Sequence, residues 1–132
     1  MRQDIHALDL KAGWEQVPQS PAGLMQKMLS NWLDEDAKEG CRTRLIHFPP
    51  GQRVDARFVH DYWEEVYMLE GELTIAVGDD GVEMGTFGPS SYACRPPGTP
   101  HGPFRSDGGC IFLEVQYYSG PGGGRPARSA AA

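Results

Sequence analysis

An all-β domain of short antiparallel strands is the fold class this sequence predicts, and three observations predict it. Glycine and proline are abundant, at 17 and 11 of 132 residues, a turn-rich composition that favours many short strands over helices. Alternating apolar segments recur at short spacing, each closed by turn residues, which is the rhythm of a barrel or sandwich. The length suits one sizeable core and is too short for two. Acidic residues outnumber basic ones 18 to 12, for a net charge of −6. Arg125 and Arg128 lie in the tail, so the body up to Tyr118 is more acidic still. That balance speaks against a nucleic-acid backbone or an anionic membrane surface as the main partner. No apolar run nears the roughly 18 residues needed to cross a bilayer, and Met1-Arg2-Gln3-Asp4 carries no apolar signal core. Cys41, Cys94 and Cys110 form no CxxC pair and are odd in number, as expected of a reducing, cytoplasmic setting.

Residues 1–23 read as an N-terminal arm, ending in the breaker cluster Pro18-Gln19-Ser20-Pro21-Ala22-Gly23. Leu24, Met25, Met28, Leu29, Trp32 and Leu33 taken alone have helical spacing. Turn chemistry on both sides and β patterning elsewhere favour a strand there. Asp34 to Gly40 is a charged turn, and Cys41 to Phe48 alternates up to the stop Pro49-Pro50-Gly51. Glu64 to Leu69 and Glu72 to Val77 flank Gly71 and read as a hairpin or near-hairpin. Gly78-Asp79-Asp80-Gly81 is a further turn, followed by short strands over Val82 to Phe87 and Tyr92 to Cys94. Pro96-Pro97-Gly98-Thr99-Pro100 interrupts the ladder, Gly102 to Phe104 resumes it, and Asp107-Gly108-Gly109 turns into a last strand, Cys110 to Tyr118. Residues 24–118 are therefore the domain. Residues 119–132 have no large apolar side chain to bury and read as a disordered tail.

The chemistry concentrates in two places. His60 and Glu64 open the segment His60-Asp61-Tyr62-Trp63-Glu64-Glu65-Val66-Tyr67-Met68-Leu69-Glu70-Gly71, and His101 closes Pro96-Pro97-Gly98-Thr99-Pro100-His101. Side chains alternate along a strand, so His60, Glu64, Val66 and Met68 share one parity. Two imidazoles and a carboxylate on one face of an ion, with other positions open, suit a divalent transition metal. His-x3-Glu-x6-Gly followed by Pro-x-Gly-x2-His resembles the paired motifs of the cupin superfamily. The resemblance implies an antiparallel jelly-roll β-barrel, one divalent metal ion (Fe, Mn, Ni or Zn) held by His60, Glu64 and His101, and a homodimer. Such families carry His-x-His in the first motif, whereas Phe58 stands two residues before His60. His47 is left open as a replacement ligand.

Phe58, Tyr62 and Met68 are expected to line the substrate space, with Trp63 and Tyr62 near its mouth. Glu64 and Arg105 are the candidate catalytic residues, and Glu114 is a further inward acid or base. Arg105 follows His101 at strand parity where the family has Asn, and is expected to anchor a substrate carboxylate. Cys94 and Cys110 are expected as small buried hydrophobes, and His6 as a surface residue. The implied function is metal-dependent action on a small oxygenated compound (carboxylate, enolate or diketone), with Fe(II) dioxygenase-type C–C cleavage among the reactions. The alternative is a non-catalytic small-molecule binding or sensor cupin with a weakened metal site.

Overall fold

The computed structural model describes residues 4–77 and 83–120. Ten strands are present among them and no helix: β1 Glu15–Gln16, β2 Met25–Asn31, β3 Cys41–Phe48, β4 Gln52–Val54, β5 Trp63–Gly71, β6 Leu73–Val77, β7 Glu83–Phe87, β8 Tyr92–Arg95, β9 Phe104–Ser106 and β10 Cys110–Tyr117. The turn expected at Gly78-Asp79-Asp80-Gly81 and nearly all of the expected tail lie outside the described residues. The strands form two antiparallel sheets, ordered β1-β2-β3-β10-β5-β8 and β4-β9-β6-β7. This is an all-β antiparallel jelly roll. Ile46, Phe48, Val66, Met68, Cys110 and Phe112 from the larger sheet pack with Val54 and Leu73 from the smaller one.

The 24–33 segment is a strand, as its turn-bounded context predicts, and β2 pairs with β3 with a register shift between Met28 and Ser30. The arm is more than an appendage. β1 extends the six-stranded sheet, and Val17 is buried in the core.

The expected hairpin about Gly71 is not one. β5 belongs to the larger sheet, beside β10 and β8, whereas β6 pairs with β7 and β9 in the smaller sheet. Gly71 marks a corner where the chain changes sheets. A bend signal in a sequence does not say whether the flanking strands pair, and here tertiary packing separates them. Gly71 has φ +79°, and a Cβ there would stand 2.0 Å from the Gly109 carbonyl oxygen. Only glycine fits that corner.

Among the cysteines, Cys110 is buried as expected, and burial pushes its thiol up to about 11. Cys94 departs from expectation and is exposed. It lies on the outward face of the edge strand β8, opposite Glu65.

The corner yields a paired test. Gly71→Ala meets backbone at 2.0 Å as well as the left-handed conformation, whereas Gly51 has φ +83° with nothing within 4 Å of an added Cβ. Gly51→Ala should cost about 1 kcal/mol of unfolding free energy. Gly71→Ala should cost at least about 3 kcal/mol or prevent folding. Equal urea midpoints for the two variants would contradict the corner.

Candidate metal centre

Two backbone segments bring the site together before any side chain is considered. Phe58 and His101 exchange backbone hydrogen bonds, N–H to O at 2.7 and 2.9 Å, and Gly98 N–H donates to the His60 carbonyl at 2.8 Å. The loop carrying His101 is thereby fastened to the loop carrying His60. Glu64 enters from β5, facing inward with Val66. One ligand atom from each of His60, Glu64 and His101 lies within 4.8 Å of the others.

The imidazoles are clamped on their flanks. The His60 ring stacks on Tyr62 at 4.6 Å and 9° between planes, and Phe58 stands about equally far from both histidines, at 6.2 and 6.0 Å. His101 Nδ1 faces the Thr99 carbonyl oxygen at 3.3 Å. Of the two ring nitrogens, Nδ1 is the one with hydrogen-bond geometry to an acceptor, which assigns it the proton of the neutral ring and leaves Nε2 its lone pair. Burial, then the charge of Arg95, lowers the His101 pKa to about 4, and burial lowers that of His60 as well. Both rings are consequently neutral at pH 7. His101 Nε2 nevertheless points at Glu64 Oε2 from 3.4 Å.

That contact sets two electron-rich atoms face to face with no proton between them, an arrangement that a cation relieves. Two ligand atoms held about 2.1 Å from one ion stand roughly 3.0–3.4 Å apart at angles of 90–109°. The His101–Glu64 spacing lies in that window. Two neutral nitrogens and one carboxylate oxygen are also a donor set suited to Fe, Mn, Ni or Zn. The residues fit a divalent ion.

Glu64 is held in turn from both neighbouring strands. Gln116 of β10 donates from Nε2 to Glu64 Oε1 at 2.8 Å, and Arg95 of β8 donates from Nη1 to Glu64 Oε2 at 3.3 Å. Such partners orient a ligand and preserve its charge. A second cluster lies alongside: Arg44 Nε meets Glu114 Oε1 at 2.7 Å, and Arg44 Nη1 donates to Gln26 Oε1 at 2.7 Å. Burial and the nearby Glu64 charge raise the Glu114 pKa, against the pull of Arg44.

His60, Glu64 and His101, with Arg44, Arg95, Glu114 and Gln116, face one cavity of about 380 Å³. Phe58, Tyr62 and Glu114 line it, as do Pro18, Gln19 and Ser20 of the arm. Met68 does not. It is buried in the core two residue pairs beyond Val66, opposite Phe112, and borders a separate cavity of about 180 Å³. Trp63 turns to the other face and stacks on Tyr117 at 6.4 Å. His47 also lies on the outward face of β3, against Trp14 at 5.3 Å, and adds no ligand.

Arg105 requires a correction. Strand pairing resumes only at Phe104, so the parity counted from His101 does not carry through. Phe104 takes the cavity position, while Arg105 is 42 % exposed and lies 3.6 Å from Asp107. The arginines that do reach the cavity are Arg42, Arg44 and Arg95, none of them expected from the motifs. A signal for two of them exists in β3. Arg42 and Arg44 share parity with Ile46 and Phe48, as Glu114 and Gln116 share parity with Phe112, so polar residues occupy an otherwise core-facing row.

The architecture and the convergent histidines and glutamate define a cupin with a candidate metal centre. Residues 2–119 match the family model of the ChrR cupin-like domain, and the chain belongs to that family. No match to a curated protein sequence was found. Solved structures with a similar fold include an RmlC-like cupin from Shewanella frigidimarina, 24% identical with a TM-score of 0.63, covering 89% of this chain and 94% of that one. Another is an acetylacetone dioxygenase from Acinetobacter johnsonii, 15% identical with a TM-score of 0.66, covering 89% and 75%. A third is the polyketide cyclase RemF from Streptomyces resistomycificus, 23% identical with a TM-score of 0.67, covering 92% and 82%. At these identities the likeness is one of fold.

Replacing His101 by Ala should abolish stoichiometric metal in elemental analysis of untagged protein, with the β-type circular dichroism spectrum retained. Arg105→Ala should leave metal content unchanged. Undiminished metal in the His101 variant would place the ion elsewhere.

Proposed function

We propose that this protein is a divalent-metal-dependent cupin that acts on a small oxygenated organic compound, a carboxylate, enolate or diketone, within the β3–β10–β5 cavity. The observation that carries this reading is the 3.4 Å approach of His101 Nε2 to Glu64 Oε2, beside His60, in the wall of a cavity of about 380 Å³. Small-molecule sites have about this volume and this mixture of apolar lining and few convergent polar groups. A bound ion would be held by His60, Glu64 and His101 and would supply Lewis-acid polarisation of ligand oxygens or, as iron, access to dioxygen chemistry.

The chain's own residues supply orientation and proton control. Phe58, Val66, Phe104 and Phe112 give the ligand apolar walls that exclude water. Arg44, itself held by Gln26, fixes the Glu114 carboxyl in place, and the raised pKa of that carboxyl brings it nearer to neutral pH, where it can both accept and return a proton. The low basicity of His101 keeps its Nε2 lone pair available at neutral pH.

One observation favours a second reading, a binding or sensor module. Phe58 occupies the position where the first cupin motif has another histidine, and its ring stacks over His60 without offering a donor atom. A set of three ligands holds metal less tightly than a set of four. Under either reading the partner is a small molecule, in keeping with the acidic surface. The short strand β1 leaves the edge of the larger sheet open for a homodimer contact in a cytoplasmic protein.

Fe(II)-, Mn(II)-, Ni(II)- and Zn(II)-loaded protein should be offered a panel of β-diketones and 2-oxo acids, with oxygen uptake and product formation followed. Metal-dependent turnover that falls at least 100-fold in His60→Ala supports the enzyme reading. Stoichiometric binding of metal and ligand without turnover would establish the binding module instead.

A further inference from the structure

The surface of this protein is acidic, but the wall of its cavity has the opposite sign. Arg42, Arg44 and Arg95 reach it, against the two carboxylates Glu64 and Glu114. Both carboxylates already have a cationic partner, Arg95 for Glu64 and Arg44 for Glu114. Arg42 is left over. Its Nε donates to the amide oxygen of Gln116 at 2.8 Å, and its Nη2 bonds the same oxygen. That acceptor is neutral, and among the described residues no carboxylate forms an ion pair with Arg42.

A guanidinium has five N–H donors in a planar fork, and the bonds to Gln116 engage only one side of it. Taking a half-buried cation partly out of water without a counter-charge is unfavourable. An incoming anion removes that imbalance with charge-assisted, bidentate hydrogen bonds. Three guanidinium groups against two carboxylates make the cavity a net cationic site even before any metal dication is counted. Screening confines the opposing surface charge to within roughly 8–10 Å of where it lies, so the local sign governs a bound ligand.

We infer that Arg42 is the anion-recognition residue of this cavity, and that the ligand is a small organic acid whose carboxylate meets the Arg42 guanidinium. The acid's remaining oxygens face His60, Glu64 and His101, and only this second contact rests on the metal-centre reading. Arg42 thus takes the role that strand parity assigned to Arg105. The competing role for Arg42 is purely positional: by bonding Gln116 it would steady Glu64, in which case its loss would disturb metal content and all ligands alike.

The test is calorimetric titration of malonate and its neutral isostere malonamide into wild type, Arg42→Gln and Arg42→Lys, each zinc-loaded and metal-stripped, with zinc content measured in parallel. Wild type should bind malonate at least tenfold more tightly than malonamide. Arg42→Gln should lose at least tenfold in malonate affinity, change less than twofold toward malonamide and keep its zinc. Arg42→Lys, which keeps the charge but not the fork, should retain part of the preference and decides the matter if Arg42→Gln fails to fold. Absence of a malonate preference in wild type, equal losses for the two probes, or loss of zinc in Arg42→Gln would overturn the inference. Wild type that holds no zinc yet prefers malonate when stripped would overturn the metal centre and leave Arg42 as the anion site.

Discussion

The amide of Gln116 is the joint on which the site depends. It is 2 % exposed, and β10 carries it between β3 and β5 in a register that sets it opposite Arg42 on one side and Glu64 on the other. Its oxygen accepts from Arg42 and its nitrogen donates to Glu64. An amide presents a donor and an acceptor on the same flat group and carries no charge at any ordinary pH. It can therefore link a cation to an anion without an added charge. Replacing it with an apolar residue would leave a buried carboxylate and a half-buried guanidinium each short of a partner, which costs about 1–3 kcal/mol for each neutral bond and more for charged groups.

The same register repeats two residues earlier, where Glu114 lies opposite Arg44 and Val66. The inner face of the larger sheet is thus divided along its length. Toward one end, Phe48, Met68, Cys110 and Phe112 form an apolar core. Toward the other, a polar wall is made of two hydrogen-bonded clusters side by side, Arg42–Gln116–Glu64 and Arg44–Glu114. No buried side-chain nitrogen or oxygen among the described residues lacks a hydrogen-bond partner. A fully satisfied buried network is rigid, and a site built on sheet residues is held more firmly than one on loops. The two histidines arrive from loops instead, secured by the Phe58–His101 bridge and the Gly98–His60 bond.

The sequence reveals this arrangement unevenly, and the reasons are physical. Strand alternation within β5 places Glu64 and Val66 on the cavity side correctly, because period 2 is a local property of the backbone. It fails for Arg105, because the chain between His101 and Phe104 is not continuous strand and the count has no meaning across the break. It fails in a different way for Met68, which keeps the right face but lies too far along the strand to reach the cavity. Gly71 is legible as a bend and illegible as a change of sheet, since the choice of partner strand depends on distant packing. Arg42, Arg44 and Gln116 belong to no motif. The Arg42–Gln116, Arg44–Glu114 and Gln116–Glu64 bonds span 74, 70 and 52 residues of sequence. Only the polar residues set into the apolar rows of β3 and β10 hint at them.

In the proposed site one divalent ion is held by two imidazoles and one carboxylate. X-ray absorption at the metal edge of stoichiometrically loaded protein measures that most directly. The expected spectrum shows multiple scattering from two histidine rings together with nitrogen and oxygen at about 2.0–2.2 Å, and no sulfur. A sulfur shell near 2.3 Å, or scattering from fewer than two imidazoles, would contradict it.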